Sequence, residues 1–397
     1  MQPLTGVVKH YDWGSPDVIP TLLRHPDDGT PWAEYWLGTH AAGTATVVDG
    51  DTPLDVWLAA HPKSVSRAER DAFGPTLPFL LKLLSADQPL SLQAHPSRSE
   101  AQAGFDAEQA RGLAPDDPDR NFRDDWPKPE MLVALTPFEA LNGFRDPAHT
   151  LALFDAIGAD EEVMRPTLGP LRYRDGSAAL AEVFLDCLTL DGTRRAMLNE
   201  VLASAVKHVD DDGEAGRFAR LAVTLDEFHP DDPSLLAALM LNHVQLAPGQ
   251  ALHLGPGVLH SYLRGTGVEI MASSDNVLRA GLTSKHVDHA ALAAIVDFRP
   301  AAPAILKPRR QAPGVLRYPS DDPEFALWRL EPSPGTPSVA LPGRGRARVV
   351  LVTDGHLLLT EGDATTELLQ GESAFIGADE SPQLDGDANA FLAAPGL

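Results

Sequence analysis

Cysteine is almost missing from this chain. Cys187 is the single example among 397 residues, so no internal disulfide can form and no thiolate metal site is available. Basic residues are also scarce: 32 Lys and Arg stand against 56 Asp and Glu, for a formal charge of −24. That balance argues against nucleic acid or an anionic membrane surface as a partner. An anionic substrate would have to be met by a local cluster of Lys and Arg. Long apolar runs are lacking too. Nothing approaches the about 18 residues needed to cross a bilayer, and the opening MQPLTGVVKHYDWGS has no apolar signal core. The chain is accordingly expected in the cytoplasm, and its net charge favours a soluble monomer.

What remains is ample for folding. Hydrophobic residues make up 43% of the chain, and its length suits two or three domains. The first part reads as short strands: TATVVDG, PFLLKLLS, LSLQAH and KPEMLVALTPFEALNGF are apolar or alternating runs bounded by Pro, Gly and Asp. Two helices interrupt them. PLDVWLAAHP starts at Pro53, and SRSEAQAGFDAEQARG is capped at Ser97 and ends at Gly112. Residues 114–127 are loop by composition. From about Asp146 the apolar residues recur at three- and four-residue spacings. DPAHTLALFDAIG, SAALAEVFLDCLTL, TRRAMLNEVLASAVKHV, EAGRFARLAVTLDEF and DDPSLLAALMLNHVQL predict an inserted helical module. From Leu246 strands return; SKHVDHAALAAIVDF predicts a helix and the proline-rich RPAAPAILKPRRQAPG a linker. The later ELLQGESAFIGAD repeats the rhythm of QLAPGQALHLGPG, which points to two β-barrels of one type. The second is poor in polar groups, His356 being its only histidine. The division is residues 1–145 and 241–310 as one strand-rich domain, 146–240 as the helical insert and 311–397 as a second barrel without metal.

Within SLQAHP, Ser91, Gln93 and His95 alternate with Leu92 and Ala94, and so share one face of a strand. A glutamine and a histidine aimed at one point can share a cation, and further ligands should come from other strands. Glu130 lies inside the apolar KPEML, with Lys128 two residues before it on the same face. His260 follows a Gly-Pro-Gly turn in GVLHSYL. One Gln, two His and one Glu suit zinc, and also manganese, iron or nickel. Taken singly, a strand histidine is more often a hydrogen-bonded core or surface residue than a ligand, so the case rests on the four together. A second cluster, MASSDNVLRAGLTSKHVD, carries Asp275, Arg279 and Lys285. Arginine grips a phosphate in bidentate fashion and lysine adds a point charge, although a solvated surface loop would have the same composition. Glu269 sits between Val268 and Ile270 in an apolar strand, where a carboxylate needs a role or a partner, Arg279 being one candidate partner. HYDWGS (10–15) and EYWLGTH (34–40) mix aromatic and polar residues, as core aromatics beside a turn also would.

Three segments resemble the signatures of the type I mannose-6-phosphate isomerases: LPFLLKLLSADQPLSLQAHP, WPKPEMLVALTPFEALNGFR and LHLGPGVLHSYLRGTGVEIMASSDNVLRAGLTSKHVD. YDWGS and EYWLGTH match as well, and the resemblance runs in order from about residue 5 to about residue 290. It implies a mainly β fold with an α insert: a bicupin, two jelly-roll β-barrels plus an inserted helical domain. It implies one zinc ion (Zn2+) per chain, on Gln93, His95, Glu130 and His260. The family's catalytic arginine falls on Arg279, its phosphate-contacting serine and lysine on Ser91 and Lys285, and two motif carboxylates on Glu269 and Asp275. Trp13, in YDWGS, is expected to contact substrate. The implied reaction is the interconversion of mannose 6-phosphate and fructose 6-phosphate through an enediol. Glu269 is the first candidate for proton carrier, because an apolar strand raises a carboxylate pKa; Asp275 and Lys128 are its rivals. Pro127 stands where the family usually has His or Asn, and PGVLH where it often has A-N-E-P-H; both departures bear on sugar preference and remove no ligand. Two other classes share the pattern. An iron-dependent cupin oxidoreductase would need no phosphate grip, which Arg279 and Lys285 supply. A non-enzymatic bicupin binding a sugar phosphate, or storing metal, would not need the ligand set together with Arg279.

Overall fold

The computed structural model describes all residues except 27, 115, 175 and 190. Strand Phe79–Ala86 is buried at every position, because neighbouring strands take both of its edges and apolar layers cover both of its faces. Beside it runs His260–Ala272, which changes partners along its length. Residues 265–272 pair with Phe79–Ala86, and residues 267–271 pair with Glu130–Ala134 on the other edge. The first residues pair instead with Phe138–Phe144 and with Gln93. The change falls at Gly265, whose φ of +124° suits glycine and where a Cβ would stand 2.7 Å from the Pro137 carbonyl oxygen. The sheet continues through Glu34–His40 to Val7–Lys9 on one side, and through Ala251–Leu254 to Ile305–Leu306 on the other.

A second antiparallel sheet is built on the long pair Arg348–Glu361 and Gln383–Ala394. It also takes in the N-terminus. Strand Gln2–Thr5, placed with the first domain by the sequence division, pairs with Ser373–Phe375 and with Thr46–Val47. The repeated rhythm has a structural counterpart. Ala364–Leu369 and Ser373–Ile376 both pair with Arg348–Glu361. Leu241–Leu246 and Ala251–Leu254 pair with Phe138–Phe144 and Glu130–Ala134, two strands that both run along His260–Ala272. The two sheets share one apolar core, in which Leu81, Met131 and Val268 meet Leu327, Val349, Phe375 and Phe391.

Six helices lie between Pro147 and Ala238 among the described residues. Their buried faces share a core with Leu92, Leu141 and Leu278 of the adjacent strands and with Leu259, just before His260. Glu161–Tyr173 was not among the expected helices; it contains Pro166 and Pro170, which mask a helical pattern in sequence. Pro166 is exposed and Pro170 half-buried, while Met164, Leu168 and Leu171 anchor the other face. DDPSLLAALMLNHVQL is helical only over Ser234–Ala238, and Leu241–Leu246 is a strand. Residues 235–241 are all buried, so periodicity cannot separate the two states there. In SKHVDHAALAAIVDF only His289–Ile295 is helical, because Asp288 caps it by accepting from the N–H groups of Ala290 and Ala291. The expected linker holds two short paired strands, Ile305–Leu306 and Arg309–Ala312. Leu54–Ala60 and Arg98–Ala110 are helices as expected, the second opened by a Ser97–Glu100 capping box. The loop 114–127 and the run SAALAEVFLDCLTL each include one position, Pro115 and Leu190, outside the described residues.

Candidate active site

Strand Leu92–Ala94 lies between two others, so that Gln93 is in register with His260 on one side and Arg279 on the other. Glu130 opens the strand opposite Met271. His95, Glu130 and His260 thereby meet, all buried, with a ligand atom of each within 4.8 Å of the others. His95 Nε2 is 3.3 Å from Glu130 Oε1, His260 Nε2 is 3.7 Å from Glu130 Oε2, and the Gln93 amide nitrogen is 3.4 Å from His260 Nε2. Ligands held tetrahedrally about 2.0–2.2 Å from an ion lie about 3.3–3.6 Å apart. The other ring nitrogens are committed: His95 Nδ1 donates to the Asn276 carbonyl at 2.9 Å, and His260 Nδ1 to the Val258 carbonyl at 2.8 Å. These bonds leave each Nε2 lone pair facing the cluster.

Burial lowers the pKa of both histidines, aided at His260 by His95, and takes His260 down to about 4. Both rings are therefore neutral at pH 7. Glu130 stays ionised. Burial opposes its charge, but His95 and Lys128, whose Nζ is 3.1 Å away, hold its pKa well below the ordinary value. His95 Nε2 and Glu130 Oε2 are buried without a hydrogen-bond partner, which is rare for polar atoms. A cation accounts for both. With the Gln93 amide turned to present its oxygen, the residues fit a four-ligand site of nitrogen and oxygen donors.

Gln93 and Glu130 face a cleft of about 510 Å³, which Trp13, Ser91, Lys128, Glu269, Asp275, Arg279 and Lys285 also line. All the expected site residues are thus at this cleft, with His95 and His260 buried against its Glu130. The partner of Glu269, however, is not Arg279. Its Oε2 accepts from Lys82 Nζ at 3.0 Å and its Oε1 from the Tyr262 hydroxyl at 2.8 Å. Lys82 Nζ also lies 3.5 Å from Glu34 Oε1, and Trp36 Nε1 donates to Glu34 Oε2 at 2.8 Å. Strand register explains the row, since Lys82 is opposite Glu269 on one edge and Trp36 on the other. Burial raises the Glu269 pKa against the pull of Lys82. Burial also disfavours charge on Lys82, but Glu269 and Glu34 outweigh it and keep the amine protonated.

Asp275 lies 3.4 Å from His40 Nε2; burial works against its charge, and His40 more than offsets it. Trp13 stacks on Tyr11 at 5.6 Å. Arg279 and Lys285 have lowered pKa values, first from burial and then from each other's neighbourhood: Arg123 acts on Arg279, and Arg279 with Arg123 on Lys285. Cations gathered this way in a chain of net charge −24 attract an anion.

Lys82, Glu34, Tyr262 and Arg123 were not singled out in the sequence. Signals existed for three of them. Lys82 is a charge inside an apolar run, Glu34 opens EYWLGTH, and Tyr262 follows His260 by two residues on a strand. Arg123 sits in a loop without a pattern to flag it.

This fold and this cluster define a mainly β, cupin-type protein with a metal-binding cleft. Residues 1–147 match the family "Phosphomannose isomerase type I, catalytic domain". The chain is 34% identical to mannose-6-phosphate isomerase of Escherichia coli (strain K12) over 391 residues, covering 96% of each. It is 31% identical to the Homo sapiens mannose-6-phosphate isomerase over 415 residues, covering 96% of this chain and 94% of that one. A crystal structure of mannose 6-phosphate isomerase bound with zinc and yttrium matches with a TM-score of 0.89 at 32% identity, covering 100% of both chains. The chain belongs to the type I phosphomannose isomerase family.

Proposed function

We propose that this chain is an aldose–ketose isomerase that interconverts mannose 6-phosphate and fructose 6-phosphate through an enediol. One zinc ion is held by Gln93, His95, Glu130 and His260. The observation that carries this reading is one cleft in which the ligand cluster and the cations Arg279 and Lys285 stand together. Bound zinc supplies a Lewis acid that polarises the substrate oxygens.

The remaining work belongs to side chains. Lys285, Ser91 and Arg279 hold the phosphate, and that remote grip orients C1 and C2. Trp13 forms the wall against the sugar. Glu269 carries the proton between C2 and C1, its pKa raised by burial toward the working range and its carboxylate aimed by Lys82 and Tyr262. Lys128 and Asp275 border the same space as alternative proton carriers. Arg279 also meets negative charge developing on the enediol.

We read the two sheets as cupin barrels: 1–145 and 241–310 as the catalytic domain around the helical insert 146–240, and 311–397 as the barrel without metal. Residues 2–5 and 46–53 complete the second barrel. The working form is a cytoplasmic monomer with a phosphosugar substrate and no nucleic-acid or membrane partner. Its product feeds GDP-mannose and glycan synthesis or, in the other direction, mannose catabolism.

The test is a coupled assay with mannose 6-phosphate, before and after EDTA, with zinc added back. Turnover lost to EDTA and restored by zinc supports the reading. Zinc-replete protein that leaves mannose 6-phosphate unchanged ends it.

A further inference from the structure

We propose that Asp124 and Asn276 form a positioning pair that ties the metal ligand His95 to the cation-lined wall of the cleft. The proposal rests on the metal site of the reading above.

The Asn276 side chain is fully buried and makes its hydrogen bonds to one short loop. Its Oδ1 accepts from the backbone N–H groups of Arg123 at 2.7 Å and Asp124 at 3.2 Å. Its Nδ2 donates to the Asp124 carbonyl at 2.8 Å, to Asp124 Oδ1 at 3.2 Å and to the Trp126 carbonyl at 2.8 Å. Asp124 returns the grip. Its Oδ1 accepts from Ser274 Oγ at 2.8 Å and its Oδ2 from the Asp275 N–H at 2.8 Å. The segment 274–276 and the loop 123–126 are therefore one unit.

That unit touches both halves of the site. The Asn276 carbonyl is the acceptor for His95 Nδ1 at 2.9 Å, the bond that aims Nε2 at the cluster. Three residues further on, Arg279 stands in register with Gln93. The loop also sets Arg123 beside Arg279 and Lys285. At its other end it is fixed by Glu108, whose carboxylate accepts from the N–H groups of Asn121 at 3.1 Å and Phe122 at 2.9 Å. A loop with no strand or helix of its own thus has its geometry set by side-chain anchors. Loosening the Asp124 anchor frees the Asn276 carbonyl, and with it the His95 ring, while shifting the cations. Losing such outer partners of a ligating histidine weakens metal binding by about 10–100-fold.

The experiment measures zinc affinity by competition with a chromogenic chelator, without substrate, and KM for mannose 6-phosphate. The variants are Asp124→Ala, Asp124→Asn and Ser274→Ala, in the full chain. Asp124→Ala should weaken zinc binding about tenfold or more and raise KM. Asp124→Asn, which keeps an acceptor oxygen for Ser274 and Asn276 but sets an amide N–H against the Asp275 N–H, should recover part of both. Ser274→Ala removes only one hydroxyl and keeps the test open if Asp124→Ala does not fold; it should weaken zinc about threefold on the same scale. Zinc affinity within twofold of the parent in folded Asp124→Ala, or in Ser274→Ala where the former does not fold, overturns the proposal. Because the zinc readout needs no turnover, a protein that binds zinc but fails to isomerise would end the proposed reaction and leave this pair intact.

Discussion

Glu130 is the only anionic member of the proposed ligand set, and it also neutralises Lys128 at 3.1 Å. Glu130→Gln keeps the shape and removes the charge. Lys128 then faces two neutral imidazoles and an amide, a poor setting for a second cation. Losing an outer partner of a ligand weakens metal binding by about 10–100-fold, so replacing a ligand should lower zinc affinity by more than about tenfold, measured by chelator competition; retention within about threefold would show that Glu130 is not a ligand. Glu269→Gln tests the proton carrier. Turnover should fall at least about 10²-fold with zinc content unchanged, and survival within a few-fold would reassign the role. The pH profile gives the same answer by a separate route. Glu269 must be ionised to accept a proton, and burial raises its pKa. Activity should therefore fall, as pH is lowered, at a value above the ordinary carboxylate pKa of about 4.3. An acid limb at or below that value points to another base. The two-residue alternation of Ser91, Gln93 and His95 was legible because a strand keeps such residues on one face. The Lys82–Glu269 pair was not, since its partners are 187 positions apart and meet only through strand register.

Elements were legible where a cap, a clean period or a short turn-bounded apolar run marks them, and opaque where prolines or an unbroken buried run hide the period. The Ser97–Glu100 capping box announced its helix, whereas the run Leu235–Leu241, buried throughout, gave no period to read. Cys187 lies on the buried face of a helix whose period does show, with Ala179, Leu180, Val183 and Phe184 on that face while Ala178 and Glu182 are exposed. It ends Ser177–Cys187 in the core of the helical segment, and burial pushes its thiol up to about 12. At pH 8 a disulfide-exchange reagent should leave the native protein unlabelled on mixing, with slow reaction as the helices open. Leu92, Ala94 and Leu259, next to Gln93, His95 and His260, lie in that same core. Stripping the proposed zinc should therefore speed labelling several-fold. A rate indifferent to metal would mean that the helical core opens independently of the site.

At the scale of the whole molecule, chain order and spatial order part company. Composition and rhythm separate a first strand-rich part from a last one. No local pattern tells that residues 2–5 belong to the sheet of residues 309–394, because edge pairing is decided by which unpaired strand is near. Gln2–Thr5 lies between Ser373–Phe375 and Thr46–Val47, Leu4 is 5% exposed, and the Met1 amino group pairs with Glu380. Leu4 sits in the core that also holds Leu81, Met131 and Val268 of the sheet that carries the proposed ligands. Deleting residues 1–5 thus removes a strand from one sheet and opens a core common to both. If the two sheets fold as one cooperative unit, the deletion should lower a single thermal transition. Hydrogen exchange of the Arg348–Glu361 amides in the second sheet and zinc release from the first should then report the same reduced midpoint. Separate midpoints, with zinc release unmoved, would show that the shared core does not couple them, and that the second sheet is a dispensable neighbour of the site.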